Sequence, residues 1–297
     1  HKIQLNHGLL SNKMKYRILL LIFLLFSLLL SLQGQKKHSM TSAFTTYEGK
    51  IMCGYQGWFR APEDGSGRGW GHYAARNKFE DEFLTIDLWP DVSEYEKTYE
   101  TAYKLPGGEN ARVFSSWDQS TVDLHFSWMK DYGIDGVFMQ RFFSVTRTEQ
   151  SRKEGNVILK YALEASRINN RAIAVMYDLS GLKASGEDCS TVIEDWKQLV
   201  DVLKITSLGD DQTYLYHRGK PLVAIWGLGF PDRPYNIKDI GIDKLIDFLK
   251  NDPEYGGCSV MLGVPAYFRN LNVDCLPDPF LHEVMKSADI IMPWTVQ

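Results

Sequence analysis

Four cysteines in 297 residues are few, and no two of them stand at metal-ligand spacing, which leaves no zinc-binding pattern in the chain. Cys53 falls inside an apolar run and reads as a small core residue. A disulfide among Cys189, Cys258 and Cys275 is left open by the spacing. Positive charge is not in excess: 33 Lys and Arg stand against 37 Asp and Glu, a net charge of −4, so there is no basic footprint for nucleic acid. No Gly-rich dinucleotide or phosphate fingerprint follows the first strand, and no G-x-S-x-G elbow occurs. The longest apolar run, residues 18–32, is 15 residues with two serines inside it, short for a membrane span. Aromatics are the opposite case, with 8 Trp, 15 Tyr and 15 Phe. Such an excess fits either a large aromatic core or rings that stack on the C–H faces of sugars.

Residues 14–34 read as a signal peptide rather than as part of the fold. Met14 is a natural start, Lys15 and Arg17 give a basic lead, and the apolar run follows. A cut after Gly34 suits the pattern, and no cysteine follows it to carry a lipid. Export to the periplasm or the extracellular space is the expectation, with an uncleaved anchor as the alternative. Residues 1–13 then read as upstream sequence, residues 35–49 as a short linker, and residues 50–297 as one large α/β domain.

The densest signal lies in residues 121–143. Val122, Phe126, Met129 and Gly133 recur at helical spacing, widened by Leu124, Trp128 and Tyr132. Thr121 stands where a cap is expected, and Gly133 ends the helix in the left-handed manner. Residues 136–139 are apolar without alternation, as in a strand buried on both faces of a parallel sheet. Gln140 and Arg141 follow at the strand's C-terminal end, where α/β proteins place ligand sites.

Elsewhere the same alternation repeats. Residues 50–59 form the expected first strand, and residues 60–110 a long insertion with a Gly-rich opening and a short helix over 92–103. Residues 111–117 are the expected second strand and 172–177 the fourth, followed by 221–226, 259–264 and 290–294. Helices are expected over 156–168, from Thr191 with Glu194 completing a capping box, over 242–249, and over 280–285. Every connection after the first suits a right-handed crossover. Polar or aromatic residues close nearly every strand, a ring that fits a (β/α)8 TIM-type barrel better than an open doubly wound sheet. Seven of the eight strands are accounted for, so the domain reads as incomplete.

Chemistry is sought at those strand ends. Asp178 is the candidate catalytic or supporting carboxylate, and Asp118 the second carboxylate candidate. Hydrolysis of a glycosidic bond uses two carboxyl groups. Arg141 suits clamping an anion or holding a carboxylate, and a buried structural pair with Asp178 is the alternative. Tyr55, Trp58, Trp117, Trp226 and Trp294 are platform candidates that serve equally well as core. Gln56 and Gln140 offer amides, and the insertion contributes Trp70 and His72. No metal or other cofactor is implied.

The stretch Asp123-x-His125-Phe126-x-x-Met129 through Gly133-Ile134, with the apolar strand after it, resembles a segment of the glycoside hydrolase family 99 endo-α-mannosidases and their family 71 α-1,3-glucanase relatives. Tyr55-x-x-Trp58 and Trp70-Gly71-His72-Tyr73 resemble that family's first strand end and first loop, and Asp178 falls where its fourth strand carries a carboxylate. The likeness is nearest to bacterial, secreted 71/99-like proteins, some of them called xylosidase/arabinosidase. It implies a (β/α)8 barrel that hydrolyses a poly- or oligosaccharide without a metal. It also implies a catalytic acidic pair near an eighth strand, which this sequence does not contain. By that reading the chain carries the substrate-binding half of the site and would be inactive by itself. A carbohydrate-binding barrel without catalysis is the alternative class.

Overall fold

Apolar runs bracketed by turn residues become six parallel strands in the computed structural model of the chain, which describes residues 36–39, 41–209 and 212–294. The expected leader at 14–34 and the residues before it lie outside the described residues. Apart from Lys36, the described residues fall in one unit, Lys37–Gln297.

The first strand, β1 (Met52–Tyr55), is followed after the insertion by β2 (Tyr99–Lys104) and β3 (Asn110–Val113). Helix α1 (Gln119–Asp131) leads to β4 (Gly136–Phe142), the single turn α2 (Phe143–Thr146) and the long α3 (Glu149–Asn169). Then come β5 (Ala172–Asp178), α4 (Ser190–Asp201), the two-residue β6 (Tyr216–His217), β7 (Lys220–Trp226), α5 (Ile242–Asn251), β8 (Ser259–Pro265), α6 (Phe280–Met285) and β9 (Ile290–Trp294). The sheet order is β1-β4-β5-β7-β8-β9, parallel throughout, with β6 attached antiparallel to β7.

Residues 111–117 do not supply the expected second parallel strand. Residues 99–104, expected to end a helix, instead alternate as β2 and pair antiparallel with β3 in a separate hairpin, Tyr99 opposite Val113 and Lys104 opposite Asn110. Pro106, Gly107 and Gly108 make the reversal. β1 therefore pairs directly with β4. Among the described residues β1 and β9 are both edges. The expected barrel is observed as an open, mostly parallel α/β sheet with six parallel strands rather than seven.

Side-chain alternation sorts the sheet into two faces. Val137, Met139, Arg141, Val175, Tyr177, Val223 and Ile225 belong to the face covered by helices. There α4 buries Val192, Trp196 and Leu199, and α5 buries Ile242, Leu245, Ile246 and Leu249. Each such side chain contributes roughly 1.5–3 kcal/mol when removed from water. The other face carries Phe142, Asp178, Trp226, Gly263 and Met292 in one row across five strands, fixed by register.

Helix ends follow local chemistry with two departures. Gly133 (φ 77°) terminates α1 as expected, and Ile134 N–H reaches Met129 O at 2.8 Å. The N-cap of α1 is Asp118 rather than Thr121, whose buried hydroxyl finds no partner among the described residues. The N-cap of α4 is Cys189, so no Thr191–Glu194 capping box forms. Thr191 Oγ1 meets Thr146 Oγ1 at 2.8 Å instead, and Glu194 pairs with Lys197.

The segment expected as a linker is tied down where it is described. Lys37 N–H bonds Glu254 O, Ser39 N–H bonds Thr206 O, and Phe44 O accepts from Tyr216 N–H. Phe44 and Tyr47 pack on the core. The cysteines Cys53, Cys189, Cys258 and Cys275 form no disulfide. Among the described residues no helix is long and apolar enough to cross a membrane.

Candidate functional site

Two features share the C-terminal end of the sheet, and Gln140 belongs to both. The first is the row opposite the helices. Asp178, 3% exposed, accepts Gln140 Nε2 at 2.6 Å on one oxygen and Ser180 N–H at 2.7 Å on the other. Trp226 is its register neighbour on β7. Gly263, next across, leaves the space that the Trp226 indole fills, since a Cβ there would collide with the ring. Trp226 meets the half-exposed Trp294 edge to face at 5.4 Å, and Arg233 lies 5.0 Å over its ring. Trp226 Nε1 and Arg233 Nε are buried and find no acceptor among the described residues. A buried carboxylate, an indole packed between Arg233 and Phe230, and two unanswered N–H donors thus lie there beside the more exposed Trp294.

The second feature is a cleft of about 530 Å³ between the ends of β1 and β4, the Gly-rich loop and α3. Gln56, Trp58, His72, Trp117, Gln140 and Arg141 line it, so six of the twelve residues singled out in the sequence converge. Trp58 lies parallel to His72 at 4.0 Å and to Phe142 at 5.2 Å, so its ring is already engaged by protein. Burial, and then the Arg60 charge, hold the His72 imidazole below its usual pKa. Asp178 does not line this cleft. The row holds the buried carboxylate, and the cleft lies beside it.

Other expected residues are placed elsewhere. Tyr55 is on the helix-facing side, and its hydroxyl meets His125 Nδ1 at 2.9 Å, so it is not presented to a ligand. Tyr95 Oη meets the other ring nitrogen at 2.7 Å. Burial lowers the His125 pKa to about 4, and the neutral ring then donates to one tyrosine and accepts from the other. Trp70 packs on Phe79 at 4.4 Å. Asp118 is buried beneath the hairpin, where Tyr99 Oη donates at 2.8 Å and Lys97 Nζ at 3.3 Å. With residues 111–117 outside the parallel sheet, Asp118 bonds Tyr99 and Lys97 and does not line the cleft.

Arg141 does not pair with Asp178. It points to the helices, where Nε and Nη2 each donate to Asp195 at 2.6 Å and Nη2 also reaches Asn156 at 2.9 Å. Neighbouring residues on a strand face opposite ways, so Gln140, not Arg141, reaches Asp178. Sequence reasoning missed Asp195. Its signal was an acid at helical spacing among Val192, Trp196 and Leu199, on a face that otherwise reads as core. It also missed Arg60, Arg68 and Glu154 in the cleft. Among the described residues no group of three His, Cys, Asp or Glu side chains is placed to hold a metal ion.

No protein-family model matches the chain, and no curated protein matches it. Among solved structures it is similar to the GH99 endo-alpha-mannosidase from Bacteroides thetaiotaomicron in complex with Bis-Tris propane, at 13% identity and a TM-score of 0.47, over 84% of this chain and 60% of that one. A second structure of the GH99 endo-alpha-mannosidase from that organism gives 13% identity and a TM-score of 0.46, over 85% of this chain and 62% of the other. The chain thus spans about three fifths of the length of those proteins. Likeness at this level assigns neither family nor activity.

Proposed function

We propose that the chain is the substrate-binding part of an exported glycoside hydrolase of the 71/99-like type, acting on a poly- or oligosaccharide. The observation that carries the reading is the row Phe142, Asp178, Trp226 on one face at the strand ends. Gln140 braces the carboxylate, and Trp226 with Trp294 offers an indole wall. Sugars present apolar C–H faces and hydroxyls together, and this surface answers both. Hydroxyl oxygens would satisfy Trp226 Nε1 and Arg233 Nε, which otherwise bear the cost of unpaired burial. Asp178, occupied on both oxygens, is suited to orient a substrate hydroxyl rather than to break the bond. The acidic pair implied by the sequence resemblance would supply the acid and base. The apolar run at 18–32 with its basic lead supports export.

One observation favours a second reading, a carbohydrate-binding protein without catalysis. Asp178 is the one carboxylate on this face among the described strand residues, and glycoside hydrolysis uses two.

The test is hydrolysis of a glycan panel by the full-length protein and its Asp178→Asn variant. Turnover in the variant is expected to fall by roughly tenfold or more, as the loss of a charge-assisted hydrogen bond to substrate predicts, with little change in melting temperature. Equal turnover in both forms would refute the role of Asp178. A full-length protein that binds glycans without hydrolysing any, and loses binding in Trp226→Ala, would establish the second reading.

A further inference from the structure

We propose that the cleft between β1, β4 and α3 binds an acidic substituent of the glycan, a carboxylate or a sulfate, through the guanidinium of Arg60. The proposal rests on the carbohydrate reading above and names the class of glycan.

Four charged residues line the cleft: Arg60, Arg68, Arg141 and Glu154. Arg141 is already neutralised from behind by the two-pronged contact with Asp195. Arg68 is paired with Glu154. Arg60 has no carboxylate at ion-pair distance among the described residues. Its Nη1 donates to two backbone carbonyls, Gly57 O and Phe59 O, at 2.8 Å each. Among the described residues no acceptor stands against its Nε or Nη2. The nearby Asp64 does not serve, because Ser115 Oγ, Ala61 N–H and Ser66 N–H occupy its oxygens at 2.6–3.0 Å.

Arg60 is also held in place. Its guanidinium carbon sits 5.3 Å from the Trp117 ring centroid, and the Nη1 bonds fix the rest of the plane. A guanidinium braced in this way offers its remaining N–H groups to a planar or tetrahedral anion at little cost in side-chain order. Burial pushes the Arg60 pKa below its ordinary value, with the Asp64 charge opposing that shift and the Arg68 charge adding to it. A bound anion would relieve that unfavourable field. The remaining lining suits a sugar rather than a free ion. Ser144 and Gln56 bring polar groups, the Trp58–His72 stack brings an apolar wall, and the volume is within the range of small-molecule sites, roughly 300–1,000 Å³.

The experiment is titration calorimetry on the full-length protein with two matched pairs. One is a xylo-oligosaccharide with and without a glucuronate branch, and the other a chondroitin disaccharide with and without its sulfate. The wild type should bind the acidic member of at least one pair about tenfold more tightly or better, as a charge-assisted bond predicts. Which pair responds separates carboxylate from sulfate. Arg60→Gln should bring the acidic and neutral members of that pair to equal affinity. Ser144→Asp tests the same point without touching the loop that Arg60 braces. It places a fixed anion in the cleft at an exposed position, and it should abolish the preference in a protein with wild-type melting. No acidic preference in the wild type, or a preference that survives Ser144→Asp, overturns the proposal. Because binding is read without turnover, an acidic preference in a protein that hydrolyses nothing upholds the cleft and sinks the hydrolase reading. Hydrolysis with no acidic preference does the reverse.

Discussion

Arg141 and Asp195 meet through two parallel bonds of 2.6 Å, Nε to Oδ2 and Nη2 to Oδ1, in the layer between sheet and helices. Arg141 is 4% exposed and Asp195 fully buried. Tyr177 Oη adds a third bond to Asp195 at 2.9 Å, and burial, with the Asp195 charge second, holds the Tyr177 phenol well above its usual pKa. This pair ties β4 and β5 to α4 and leaves Arg141 as a wall of the cleft, not a clamp on substrate. Removing either partner strands a buried charge. Arg141→Ala and Asp195→Ala should each lose about 3–5 kcal/mol in urea unfolding. The double replacement Arg141→Met with Asp195→Leu should recover much of the loss, because it removes both charges and keeps volume. A single variant that unfolds like the wild type but loses glycan binding would show that Arg141 serves the ligand after all.

His125 predicts a pH dependence of stability. Its folded pKa of about 4 lies below the ordinary 6.5, through burial. Between those values the unfolded chain binds a proton that the folded chain does not. Stability from this group is therefore complete above the unfolded pKa and is lost as pH falls from about 6.5 to about 4. The melting temperature should fall across that window in the wild type. In His125→Gln, which keeps a donor and an acceptor for Tyr55 and Tyr95 but does not titrate, the fall should be shallower. Parallel curves for the two proteins would mean that His125 is not protonated on unfolding.

The strands and helices of the second half were legible because each is a single apolar run closed by turn residues. The expected spans 280–285 and 290–294 match α6 and β9 residue for residue. The hairpin was not legible as such. Residues 99–104 were read as a helix, although Tyr99, Thr101 and Tyr103 alternate and the Pro106-Gly107-Gly108 turn stood beside them as an unused signal. Pairing β3 with β2 rather than with the parallel sheet is a choice between partners that local periodicity does not encode. The site was legible in identity and illegible in direction. A strand buried on both faces carries no mark of which face meets ligand, so the alternative pairing of Arg141 with Asp178 stood open until the fold gave Arg141 to Asp195 and Gln140 to Asp178. Arg60 lies in a loop with no periodicity, and only the fold shows that no carboxylate stands at ion-pair distance from it among the described residues.

Gly57 gives a sharp test of how the cleft wall is assembled. Its φ of 59° is in the left-handed region, and an added Cβ would lie 2.5 Å from Ile158 Cγ2 and 3.4 Å from Tyr55 Cε1. Both Gly57 and Ile158 line the cleft. Gly57→Ala meets two separate penalties, about 1–2 kcal/mol for the left-handed backbone and about 1–3 kcal/mol for overpacking. Ile158→Ala removes the methyl that the new Cβ would strike, at about 2–5 kcal/mol for the cavity it leaves. The cavity and the clash occupy the same space, so the double variant should be more stable than the sum of the single losses by roughly 0.5–3 kcal/mol. Urea unfolding of the four proteins measures that coupling. Strict additivity would mean that Gly57 is required by its backbone angle alone and that α3 does not press on the β1 end.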